Sequence, residues 1–120
     1  MQIRRFDAAE PYAAPNHFDC KALRLAGFAE VGPGNFWVGL SHFLPGGSAG
    51  PDASPLEKVY VVVAGRLTVR AEGREEVAGP MDTIFIPGGE EREIVNAGND
   101  VCTILVIMPY PEGAGPGGGS

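Results

Sequence analysis

Pro45-Gly46-Gly47-Ser48-Ala49-Gly50-Pro51-Asp52-Ala53-Ser54-Pro55-Leu56-Glu57-Lys58-Val59-Tyr60-Val61-Val62-Val63-Ala64-Gly65 decides how the rest of the chain is read. It opens on a Pro-Gly-Gly turn signal, crosses a polar loop, and becomes apolar and β-branched from Val59 to Ala64. That run is too short for a helix and stops at Gly65, so it predicts a buried strand. Alternation along it places Lys58, Tyr60 and Val62 on one face and Val59, Val61 and Val63 on the other. A lysine at the mouth of such a strand, on the same face as a tyrosine, is where chemistry is expected.

Upstream, Asn35 to Leu44 predicts a long strand with Phe36, Val38, Leu40, His42 and Leu44 on one face. Trp37, Gly39, Ser41 and Phe43 take the other. Gly32-Pro33-Gly34-Asn35 is a turn, and Ala22 to Phe28 alternates as a further strand. Residues 1–20, with Pro11, Pro15 and Asn16, show no sustained period and read as an arm that lies against a sheet edge. Downstream, Arg66 to Ala71 and Arg74 to Ala78 flank a tight Glu72-Gly73 hairpin. Thr83 to Ile86, Glu91 to Asn96 and Val101 to Met108 complete the set. The end of the chain, 111–120, reads as a flexible Gly/Pro-rich tail. Eight or nine short, evenly spaced strands predict an all-β closed barrel or sandwich, with 1–20 as arm and 21–110 as the single domain.

Composition agrees. A chain of 120 residues holds one domain, and 18 glycines with 11 prolines imply many turns between short elements. The net charge of −6 argues against a nucleic-acid or acidic-membrane partner. Cys20 and Cys102 lack metal-type spacing and read as thiols in a reducing compartment. No stretch reaches the length of a membrane span, and the expected location is cytoplasmic.

These turns and strands resemble the cupin superfamily, in its small single-domain Cupin_2-type, RmlC-like form, over roughly residues 36 to 108. The first family motif runs from a Pro-Gly turn through His-x-His to a Glu, then to a Gly. Here Pro45-Gly46-Gly47 and Gly65 match it, while Asp52 and Ser54 fall on the two histidine positions and Lys58 on the glutamate. In the second motif Pro87, Gly89 and Asn96 match, Arg92 replaces the histidine and Met81 the first glycine. The resemblance implies a jelly-roll β-barrel and, since small cupins are commonly dimers, a homodimer formed through the arm and an exposed sheet face. It does not carry over the usual metal chemistry. Lysine and arginine offer a cation no lone pair, so no metal and no other cofactor are expected.

If the family's inward geometry holds, Asp52, Ser54, Lys58 and Arg92 converge inside the barrel. Two cations against one anion then call for an anionic guest, a small carboxylate-bearing metabolite. Arg92 suits a carboxylate by its planar fork, while Lys58 and Asp52 handle a proton and Tyr60 assists on the same face. Expected chemistry is that of an isomerase, epimerase or lyase, with a non-catalytic anion-binding protein as the competing class. Each residue also has a plainer reading. Lys58 pairs with Asp52 or Glu91 as a structural plug, Ser54 caps the turn beside Pro55, and Arg92 belongs to a solvated rim with Glu90, Glu91 and Glu93. His42, on an otherwise apolar face, reads as a satisfied core or pocket histidine, with substrate contact or the role of a pocket base as its functional alternatives. A cupin with relocated metal ligands, built from His17, His42 and either Glu57 or Cys20, is the remaining alternative.

Overall fold

Nine strands follow a short 3-10 turn at Phe6–Ala8: β1 (Glu10–Tyr12), β2 (His17–Ala26), β3 (Trp37–Ala53), β4 (Lys58–Ala64), β5 (Leu67–Ala71), β6 (Arg74–Ala78), β7 (Thr83–Ile86), β8 (Glu91–Val95) and β9 (Cys102–Met108). The computed structural model describes residues 1–29, 31–112 and 114. Most of the expected tail, residues 113 and 115–120, lies outside the described residues. All neighbouring strands are antiparallel, and the hydrogen-bonded path runs β6-β5-β8-β3-β9-β4-β7, with β2 on β3 and β1 on β2. The path stops at β6 and β7, which face each other without a ladder. The molecule is therefore a nearly closed barrel with one seam.

The longest strand makes the barrel possible. The first half of β3 pairs with β9, from Trp37↔Met108 to Phe43↔Cys102, and the second half pairs with β8, from Ser48↔Val95 to Ala53↔Glu91. Between the halves lies Pro45-Gly46-Gly47. The turn expected there is an outward bulge inside β3, where the strand passes from its pairing with β9 to its pairing with β8. The sequence signal was the same because both a turn and a bulge use a glycine at positive φ, here Gly46 at 84°. Asn96 pins this corner. Its Nδ2 donates to the Phe43 carbonyl at 3.0 Å and the Asp100 carbonyl at 2.7 Å, and its Oδ1 accepts from Gly98 N at 3.0 Å. The backbones of Gly46, Gly47 and Asn96 add two more bonds, both 2.8 Å.

Alternation was read correctly and now acquires a direction. Lys58, Tyr60 and Val62 point inward, and so do Trp37, Ser41 and Phe43, around a core completed by Leu67, Ile94, Cys102 and Ile104. Glu72 and Gly73 form the expected two-residue hairpin, with φ of 52° and 71°. The arm is corrected at its inner end, because β2 begins at His17 rather than Ala22. Its outer end does lie along a sheet edge, the edge of β2 in the same chain.

Candidate functional site

Three strands, β4, β8 and β3, supply the polar groups of the candidate site. On β4, Lys58 and Tyr60 are two residues apart and so face the same way, at 3% and 2% exposure. On β8, Arg92 is 6% exposed and shares the inner face with Ile94. Asp52 on β3 is the direct register partner of Arg92 and reaches toward solvent. Arg92 Nε donates to the Tyr60 hydroxyl at 2.8 Å. Its Nη1 is buried and has no hydrogen-bond partner among the described residues. An unsatisfied guanidinium nitrogen inside a barrel is costly, and such a group calls for an acceptor that arrives with a ligand or with water.

The backbone makes room for it. Gly50 has a φ of 92°, and a Cβ built there would lie 2.6 Å from the Arg92 carbonyl oxygen and 2.8 Å from Nη1. Only glycine lets β3 pass so close to the guanidinium.

Electrostatics follow from this crowding. Burial lowers the Lys58 pKa below the ordinary lysine value, the Arg92 guanidinium lowers it further, and Asp52 pulls it back. Burial raises the Tyr60 pKa, opposed by the charge and hydrogen bond of Arg92. Among the described residues the ion pairs are Arg70–Glu75, Arg70–Glu93 and Arg74–Glu76. Arg70 thus takes the solvated-rim role that the acidic run suggested for Arg92, and Lys58 makes no structural plug with Asp52 or Glu91.

Access lies at the seam. An open cleft of about 740 Å³ runs between β6 and β7, lined on its inner side by Val69, Ala71, Ile84 and Ile86. Three of these are the cross-strand partners of the polar cluster: Ala71 of Arg92, Ile84 of Tyr60 and Ile86 of Lys58. The cleft stops one strand short of the charged groups.

Two expected site residues fall elsewhere. Ser54 Oγ accepts from Leu56 N at 3.1 Å, which makes it the cap of the turn beside Pro55. His42 is corrected more sharply: Ser41 and Phe43 face the core, so His42 points to the outer face, where its Nδ1 meets Thr103 Oγ1 at 2.9 Å. Its neighbours Leu40 and Leu44 made that face look internal, but the outer surface of this sheet is itself apolar.

His17 is the inner-face residue that the sequence reading did not place in the pocket. It pairs with Ala49, which pairs with the buried Ile94, so it lies on the inner face one row from Arg92 and Asp52. Its ring lies nearly parallel to Phe43, with centroids 6.3 Å apart at 19°. The two histidines therefore stand on opposite faces of the sheet and do not join in a relocated metal site. Among the described residues no three His, Cys, Asp or Glu side chains form a group able to hold a metal ion. At the family's ligand positions, Lys58 and Arg92 offer no lone pair and the Ser54 hydroxyl is held by the backbone, so the donor set does not fit a cation.

Comparison with known proteins places this architecture. The cupin domain family model matches residues 39–108. Beta-D-galactosidase Rv1717 of Mycobacterium tuberculosis is 38% identical over 111 residues, 92% of this chain and 96% of that protein. The polyketide cyclase RemF from Streptomyces resistomycificus superposes with a TM-score of 0.82 at 24% identity, over 95% of this chain and 82% of that one. An RmlC-like cupin from Shewanella frigidimarina gives a TM-score of 0.76 at 17% identity, over 94% of each chain. The matched span runs from within β3 to the end of β9, and the chain belongs to the cupin superfamily.

Proposed function

We propose that the barrel works without a metal, on a small carboxylate-bearing molecule, by acid/base chemistry of the isomerase, epimerase or lyase kind. The observation that carries this reading is the buried, unpartnered Nη1 of Arg92 in a barrel that also buries Lys58, whose pKa the Arg92 charge lowers. Two buried cations, with Asp52 exposed beside them, are neutralised by an incoming carboxylate, and the same pair stabilises an enolate once a proton has left. In this reading Arg92 orients the carboxylate and Lys58, with Asp52 adjusting its charge, holds the developing oxyanion. Tyr60 keeps the guanidinium in register through its hydroxyl.

The test is a thermal-shift comparison of chelator-treated protein with pyruvate, lactate and neutral D-galactose. Pyruvate or lactate at a hundred times its dissociation constant adds about 2.7 kcal/mol, several degrees in melting temperature. D-galactose should add nothing, and Arg92→Met should abolish the shift. Equal stabilisation by the neutral sugar removes the anionic reading.

The name of the 38% identical relative favours a second reading, hydrolysis of a β-galactoside. Glycoside hydrolysis ordinarily needs two carboxyl groups flanking the bond, and Asp52 is the acid beside Arg92. Release of nitrophenol from a nitrophenyl β-D-galactoside, abolished in Asp52→Asn, would favour that second reading over the first.

The same proposal takes the chain as a homodimer. Its support is the outer face of β9 and β4, where the half-buried Leu105 and Val61 continue a cross-strand row whose other members, Leu23 and Leu40, are already buried. Burying that row against a second copy removes apolar surface from water. Sedimentation should give twice the chain mass at micromolar concentration, and Leu105→Glu should return it to one.

A further inference from the structure

We propose that His17, through its Nε2 atom, is the proton acceptor of this site, taking a hydrogen from the carbon next to the ketone of a small keto acid. The inference rests on the acid/base reading above and adds the base that Lys58 and Arg92, both cationic, do not supply.

The tautomer is fixed by a hydrogen bond. His17 Nδ1 lies 2.7 Å from the Pro15 carbonyl oxygen. A carbonyl only accepts, so Nδ1 carries the proton and Nε2 keeps its lone pair. That is the arrangement of a general base whose other nitrogen is held by the backbone.

The turn that carries the ring is anchored to the site. Asn16 Nδ2 donates to the Pro51 carbonyl at 3.1 Å, and Gly50 N donates to the Asn16 carbonyl at 3.0 Å. These bonds tie the start of β2 to the bulge of β3 between Ala49 and Asp52, the same bulge that makes room for Arg92. The ring thus stands on the inner face with Phe43 behind it, and it feels the charges of Asp52 on β3 and Arg92 on β8.

The charge state suits the role. Burial lowers the His17 pKa below its ordinary value and the Pro15 carbonyl partly offsets this; Arg92 adds to the lowering and Asp52 opposes it. The imidazole is therefore neutral at pH 7 and able to accept. In the step itself the C–H bond breaks and its proton forms Nε2–H. The electron pair stays on the substrate as an enolate, whose oxygen is held by Arg92 and Lys58. Return of a proton from Nε2 regenerates the neutral ring, so no oxidant or other co-reactant is involved.

The experiment follows deuterium entering the methyl group of pyruvate in heavy water by proton NMR. The wild-type protein should accelerate exchange, and His17→Asn, which can still donate to the Pro15 carbonyl but has nothing at Nε2, should lose about a hundredfold or more. Exchange that survives in His17→Asn overturns the role of His17 and leaves the acid/base reading standing. A wild-type protein that binds pyruvate and exchanges nothing overturns both. Should the variant fail to fold, nitrogen-15 spectra of the wild-type protein decide. With two histidines in the chain, the His17 ring is identified directly. It should be the Nδ1–H tautomer, and wild-type exchange should be level above its midpoint and fall about tenfold per pH unit below it. An Nε2–H tautomer overturns the proposal.

Discussion

Replacing Lys58 by methionine should raise the melting temperature while removing exchange activity. Lys58 is 3% exposed, has a second cation near it, and joins no ion pair among the described residues. A methionine of similar length keeps the packing and deletes the buried charge. The gain is on the order of 1–3 kcal/mol, or roughly 4–12 °C for a domain of this size. The pH dependence gives an independent sign. The folded-state pKa of Lys58 lies below the ordinary lysine value of 10.5. Between the two values the unfolded chain binds more protons, so wild-type stability should rise with pH through that window, and Lys58→Met should lack the rise. Pyruvate exchange should fall by two orders of magnitude or more, because the enolate loses one of its two cations. A drop of several degrees in melting temperature instead would mean that the amine has a structural partner and that the site reading is wrong.

Asn96→Ala carries the largest expected loss of stability. The side chain is 1% exposed and makes three hydrogen bonds to backbone groups, one on β3 and two in the turn before β9. Alanine leaves the Phe43 carbonyl without its partner in the interior and frees the corner of β3. The cost is about 3–5 kcal/mol, read as a lower denaturant midpoint at unchanged slope. That is a large share of the 5–15 kcal/mol typical of a domain. Asn96→Asp should recover little, since the carboxylate keeps the bond from Gly98 but loses both donations. A change below about 1 kcal/mol would show that the bulge holds its shape without this side chain.

Much of the fold was legible because period-two alternation and turn residues are local. Lys58, Tyr60 and Val62 share an inner face because of spacing alone, and Asn96 with Pro87 and Gly89 marked the family. Direction was harder. His42 was set on the correct face of its strand, but which face looks inward depends on β2 and β9, and the outer rows of this sheet are as apolar as the inner ones. Pro45-Gly46-Gly47 was read as a turn because a bulge and a turn use the same residues, and only the pairing of β3 with both β9 and β8 tells them apart. His17 was lost for a related reason. Its arm has no period of its own, and its place is fixed by pairing with Ala49, 32 residues away. Ser54 and Arg92 show the limit of motif positions: one is a turn cap and the other a buried cation, though both replace histidines.

The unladdered seam between β6 and β7 carries a cost of its own. A barrel that stays open keeps two raw strand margins, each a template on which another chain can stack and grow into a polymer. The sequence answers with charge: Arg74, Glu75 and Glu76 are exposed along one margin. Arg74 and Glu76 also line the open cleft, so trimming those charges to widen it would strip the guard from the strand margin.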